Sequence, residues 1–159
     1  MATALTRARC VVVPHHARAA RLVRYRLGEE LGGVVPPELL ADAIAVVAEL
    51  VGNAVRHARP LPGGVIRVSW RLDGTLGSYT DLVVRVTDSG GPEPPREQHR
   101  APDAIDGRGL RIVAALAERW GVEHDEVGQS VWARLSGPAP SPRRSNETAS
   151  RDSHEESAR

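Results

Sequence analysis

Between residues 37 and 86 the hydrophobic period of the chain changes from three-and-four to two. From Pro37 to about Arg59, Leu40, Ile44, Val47, Val51, Ala54 and Ala58 recur at helical spacing, which gathers them on one side of a helix. Pro60 and Pro62 close that helix, because proline cannot continue the hydrogen-bond ladder. Beyond them Ile66, Val68, Trp70 and Leu72 alternate with Arg67, Ser69 and Arg71, and Leu82, Val84 and Val86 repeat the pattern up to Thr87-Asp88. Such segments are strands with one buried face. A long amphipathic helix beside one-sided strands buries both apolar faces by laying helix on sheet. The remaining elements fit that plan. Cys10 to Val13 form a short strand ended by Pro14. A helix is expected from His15 to Leu31, with Ala17, Ala20, Val23, Leu27 and Leu31 inward, stopped by Gly32-Gly33. Another runs from Leu110 to about Trp120, and a last strand from Ser130 to Leu135. The order predicts a two-layer α/β sandwich, its sheet mixed but mostly antiparallel and covered on one face by helices.

The folded part spans roughly residues 8–136. From Gly137 to Arg159 no Leu, Ile, Val or aromatic residue occurs, so a disordered tail is expected over 137–159. Lys+Arg is 21 against Asp+Glu 20, a formal charge of +1, and aromatic residues make up only 3%. Neither an electrostatic nucleic-acid footprint nor a base-stacking surface follows from that. Lysine is absent altogether, which excludes phosphate-binding schemes built on a lysine, the P-loop among them. No apolar run approaches the roughly 20 residues of a membrane span. The stretch from Met1 to Arg9 has no apolar run of a secretory leader. Cys10 is the only cysteine, so no disulfide forms within the chain, and a reducing, cytoplasmic setting is expected.

Three clusters carry chemistry. On the second helix Asp42, Glu49, Asn53 and Arg56 fall within about 60° of arc, expected to lie opposite Leu40, Ile44, Val47 and Val51. A plain solvated face accounts for such a stripe. Gly52 beside Asn53 fits that reading poorly, since both are weak helix formers. Glu49 and Asn53, one turn apart, offer a carboxylate and a neutral carbonyl that can hold hydrated Mg2+ or position a water. Second, Asp88-Ser89-Gly90-Gly91 follows a strand directly. It reads equally as a turn or as a fixed acceptor for an amino group, with Gly90 letting a flat ring approach. Third, Gly107-Arg108-Gly109 precedes a helix. Its amides and the helix dipole favour an anion, and Arg108 reaches either phosphate or solvent. The segment between Gly91 and Gly107 is a candidate lid.

Taken together these clusters resemble the ATP-binding domain shared by gyrase-type topoisomerases, Hsp90 chaperones, sensor histidine kinases and MutL. Within that superfamily they are similar to the anti-sigma-factor and serine-protein-kinase branch related to RsbW and SpoIIAB. The stretch from Val47 to Ala58 looks like its N box, Asp88-Ser-Gly90 its first glycine box, Gly107 to Val113 its second, and Gly128 to Leu135 its closing strand. The resemblance covers about residues 10–135 and implies a Bergerat-type sandwich that binds ATP with Mg2+. Asn53 would be the metal ligand and Glu49 the acid that polarises the attacking hydroxyl. Asp88 would accept from the adenine amino group, with Gly90 bordering the ring. Gly107 and Gly109 would cradle phosphates, and Ser130 would reach the adenine side through water. His57, after the N box, would be a packing residue. Implied partners are proteins, a sigma factor or an anti-anti-sigma antagonist phosphorylated on Ser or Thr; a homodimer also fits. Direct nucleic-acid or membrane binding is not expected. The segment after Gly91 is short and proline-rich, and Gly128-Gln129-Ser130 stands where many relatives carry a Gly-Lys or Gly-Thr sequence. A nucleotide-dependent regulator that binds proteins without kinase activity is therefore the alternative.

Overall fold

The computed structural model describes residues 4–75, 78–92 and 108–137. Gly107, the candidate lid beyond Pro92, residues 138–159 of the expected tail and the side chain of Arg108 lie outside the described residues.

The elements are β1 (Ala4–Pro14), α1 (Ala19–Leu31), α2 (Pro37–His57), β2 (Val65–Thr75), β3 (Ser78–Asp88), α3 (Arg108–Leu116), β4 (Arg119–His124) and β5 (Gln129–Ser136). The strands form one sheet in the order β1-β2-β3-β5-β4. Every pairing in it is antiparallel, so the two-layer α/β sandwich is as expected but the described sheet has no parallel component. The strands alternate as their sequences require. Ile66, Val68, Trp70 and Leu72 of β2, Leu82, Val84 and Val86 of β3, and Val131, Ala133 and Leu135 of β5 are buried under the helices. Ala19, Val23, Leu27 and Leu31 of α1 and Leu110 and Val113 of α3 close over them. The opposite face carries Arg67, Ser69 and Arg71 of β2, Arg85 of β3 and Trp132 and Arg134 of β5. There Arg85 bonds Glu123 at 2.7 Å and Arg134 grips both carboxylate oxygens of Asp81 at 2.7 Å.

Four local expectations are corrected. The first strand is much longer than Cys10–Val13, pairing with β2 from Ala4↔Thr75 to Pro14↔Val65. Its first half is polar because it is an edge strand, and Arg9 instead bonds Glu30 of α1 at 2.8 Å. Helix α1 starts at Ala19, not His15. His15 turns away, its Nε2 lying 3.0 Å from both Ala54 O and Ala58 O at the end of α2, so Ala17 is exposed and Ala19 takes the inward position. The third helix stops at Leu116, and Arg119–His124 form the edge strand β4. The helical spacing of Val113, Leu116 and Trp120 hid this switch, which begins where Glu118 N–H donates to Arg134 O at 2.9 Å.

The last correction concerns α2. Its buried residues are Leu39, Ala43, Val46, Val47, Leu50, Val51 and Ala54, whereas Leu40 and Ile44 are only half-buried. The inward side is thus rotated by about 60° from the expected one. Apolar residues surround most of this helix because α1, α3, β3 and β5 all pack on it. The polar stripe consequently lies on the flank of the buried side, at the seam with α3, and not opposite it.

Candidate functional site

The seam between α2 and α3 brings two of the three sequence clusters together. Glu49 and Asn53 are half-buried on α2, and Gly109 is buried in the first turn of α3. A Cβ on Gly109 would lie 2.7 Å from Glu49 Oε2 and 3.3 Å from Asn53 Oδ1. Only a residue without a side chain allows α3 to begin against these two oxygens. Arg56, exposed in the last turns of α2, completes the stripe by donating from Nη2 to Asn53 Oδ1 at 3.3 Å. A carboxylate and an amide oxygen converging on a helix N-terminus form a hard-oxygen donor pair of the kind Mg2+ takes together with phosphate and water. The residues present therefore fit Mg2+ carried by a phosphate ligand. Among the described residues no group of three or more His, Cys, Asp and Glu could hold a metal by itself.

The Asp88 cluster stands just past the C-terminal end of α2. Gly90 has φ 77°, a left-handed conformation that glycine adopts without strain. The turn this creates lets Gly90 N–H donate to Asp88 Oδ1 at 2.6 Å. Arg59, just past α2, donates its N–H to Gly90 O at 3.0 Å and accepts from Ser89 N–H at 2.9 Å. Ser89 Oγ adds a bond to Pro60 O at 2.8 Å. The turn reading of Asp88 is thus realised, and the same backbone fixes the position of its carboxylate. Asp88 is only 2% exposed. Burial pushes its carboxyl above the ordinary aspartate range, opposed by the Gly90 N–H and by the nearby His15 and His124. A buried acceptor of this kind matches a ligand amino group. Asn53 precedes Arg59 by six residues, so the two clusters are separated by roughly 9 Å along the helix axis. A ligand touching both is long, with a donor-bearing ring at one end and anionic oxygens at the other.

Ser130 does not join this arrangement. It pairs with Thr87, and their hydroxyls share a hydrogen bond of 2.7 Å on the sheet face away from the helices. The residue across from Asp88 is Gln129, which is 5% exposed and bonds His124 Nε2 through Oε1 at 3.0 Å. A Cβ on Gly90 would come within 3.7 Å of the Gln129 Cβ. Sequence reasoning passed over Gln129 for its neighbour. The signal that identifies it is strand parity, because Gln129 shares its face with Val131, Ala133 and Leu135. His57 is exposed and not packed.

The family described as histidine kinase-like ATPase domain matches residues 12–135. No curated protein matches the chain in sequence. Among solved structures it is similar to one titled as the RsbU and RsbW domains of Rv1364c from Mycobacterium tuberculosis, with a TM-score of 0.60 and 23% identity over 84% of this chain. The match spans 34% of that longer protein's chain, and at this identity it speaks for the fold. With the family match running from β1 to β5 and taking in all three clusters, the chain belongs to the histidine kinase-like ATPase domain family.

Proposed function

We propose that the chain is an ATP-binding regulatory protein of the anti-sigma-factor and serine-protein-kinase type, exchanging protein partners according to the nucleotide it holds. The observation that carries this is the close approach of Gly109 to Glu49 and Asn53 in the C-terminal half of α2, with the buried Asp88 acceptor just past the same end of the helix. In this reading the Asp88 carboxylate accepts the adenine amino group, and Gln129 lines the same pocket wall. Asn53 holds Mg2+, which when bound neutralises phosphate charge. The Gly109 backbone lets the phosphates reach the N-terminus of α3. Glu49 accepts the proton from a Ser or Thr hydroxyl of an antagonist protein as that oxygen attacks the γ-phosphate. The γ-phosphoryl leaves ADP, and the serine or threonine becomes its ester. Partners of this class are a sigma factor and its anti-anti-sigma antagonist, met in the cytoplasm. Among the described residues no helix is long and apolar enough to cross a membrane.

A second reading, a nucleotide-dependent binder without kinase activity, is favoured by the absence of any lysine. One experiment separates the two. Calorimetry with ATP, with and without Mg2+, establishes binding. Transfer of labelled γ-phosphate to the antagonist is then compared for wild type and Glu49→Gln. The kinase reading expects transfer to fall by about 10²-fold or more in the variant with ATP affinity kept. Binding without any labelling by the wild type leaves the binder, and no binding at all overturns both.

A further inference from the structure

One rung of the sheet departs from the apolar pattern of its face. On the helix-covered side Val122 of β4, Val131 of β5 and Val86 of β3 stand in register. The next rung on that face, at the end of the same strands, is His124, Gln129 and Asp88. Gln129 and Asp88 are almost fully buried, whereas His124 is exposed on the edge strand. An imidazole, an amide and a carboxylate thus lie side by side. His124 Nε2 is 3.0 Å from Gln129 Oε1. A carbonyl oxygen only accepts, so the imidazole nitrogen facing it carries the hydrogen and donates. The neutral Nε2–H tautomer and the imidazolium both do so.

An amide has a donor end and an acceptor end, and a ligand meets whichever end is left. His124 occupies the acceptor end, so what Gln129 offers a ligand is N–H. Asp88 Oδ1 is likewise taken by Gly90 N–H at 2.6 Å, and its other oxygen accepts. We infer that this rung discriminates between purine bases, Asp88 accepting from a 6-amino group and Gln129 donating to ring N1, with His124 the positioning residue that sets the sense of the amide. The inference rests on the ATP reading above and adds to it how the site rejects GTP. Adenine presents a 6-amino donor and an N1 acceptor; guanine presents an O6 acceptor and an N1–H donor at the same places. Guanine would set oxygen against carboxylate and N–H against N–H, leaving buried polar groups without partners. An untethered amide could turn over and meet N1–H with Oε1. The imidazole holds it against that turn.

Calorimetric titration of the full chain with Mg-ATP, Mg-GTP and 1-deaza-ATP, in which C–H replaces N1, tests this. The wild type is expected to bind ATP about 10-fold or more tighter than either analogue. In His124→Ala the preference for ATP over GTP shrinks several-fold, because the amide is free to turn. The thermal midpoint stays within a few degrees, as for an exposed position. His124→Gln keeps an N–H donor and restores part of the preference. In Gln129→Ala, ATP and 1-deaza-ATP bind alike. Equal wild-type affinity for ATP and 1-deaza-ATP overturns the role of Gln129, and an unchanged ATP-to-GTP ratio in His124→Ala overturns that of His124. Either result leaves the ATP site standing on Asp88. A wild-type chain that binds none of the three ligands overturns the site reading itself.

Discussion

Gln129 lies directly across from Asp88 in the β3–β5 ladder, and both side chains are almost fully buried on the helix-covered side. Adenosine affinity is therefore expected to fall about fivefold or more in Gln129→Ala, as one polar contact is lost. Ser130→Ala should leave it unchanged. The serine variant instead strips the buried Thr87 hydroxyl of its partner. It is expected to lose about 1–3 kcal/mol in urea unfolding. A Ser130 variant that is stable but fails to bind adenosine would return the serine to the site.

Gly109→Ala tests the seam between α2 and α3. The added methyl meets the far end of the Glu49 side chain, which can swing aside, so the fold survives. Displacing that carboxylate from α3 is expected to weaken Mg-ATP binding by about tenfold, while the thermal midpoint stays within a few degrees. Calorimetry alongside a thermal scan reads both.

Asp88→Asn separates stability from recognition. Burial raises the Asp88 pKa in the folded chain, so folding favours the protonated form. The stability this contributes is full below the ordinary aspartate pKa of about 4 and is lost as pH rises through the raised value. The asparagine keeps an oxygen for Gly90 N–H and carries no charge. The variant should thus be at least as stable as wild type at pH 7, with the advantage vanishing near pH 4. Its adenosine affinity should fall roughly 5- to 150-fold, since one carboxylate acceptor has become a donor. Unfolding free energies across pH, paired with calorimetry, check both signs.

The Asp81–Arg134 pair on the open face behaves oppositely. The Arg134 guanidinium holds the Asp81 carboxyl below its usual range. The stability it contributes is present above the ordinary aspartate pKa and is lost as pH falls through the lowered one. Both partners are partly solvated, so Arg134→Gln should lower stability only slightly at pH 7, and less in high salt. Nucleotide affinity should not change.

The sandwich was legible because β2 and β3 alternate cleanly and α2 is long. Its candidate site was legible as three clusters, since Glu49, Asn53, Asp88 and the Gly107–Gly109 run are local in sequence, though Gly107 lies outside the described residues. What escaped depends on neighbours. The rotation of α2 by its four packing partners cannot be read from a helix that is apolar on several sides. The edge strand β4 continues the helical spacing of α3 until Arg134 captures Glu118. Gln129 was readable from strand parity, but motif spacing drew attention to Ser130. That the Arg56 guanidinium lies over Gly52 likewise depends on the folded helix.

The backbone bonds that join Arg59 to Ser89 and Gly90 divide the site unequally. They tie the end of α2 to the Asp88 turn, so in the proposed site the half facing the base is built before a ligand arrives, and its ordering cost belongs to folding and not to binding. Among the described residues no such backbone bond joins α2 to α3, whose mutual placement rests on side-chain packing and the bare Gly109. Heredity acts differently on the two halves. In the proposed site, changes to the backbone junction of Arg59 with Ser89 and Gly90 would disturb the domain's own foldability, while substitutions at the phosphate end leave a folded protein. Under the proposed function, descendants of such a chain can lose the chemistry of the phosphate end and keep the half that folding builds.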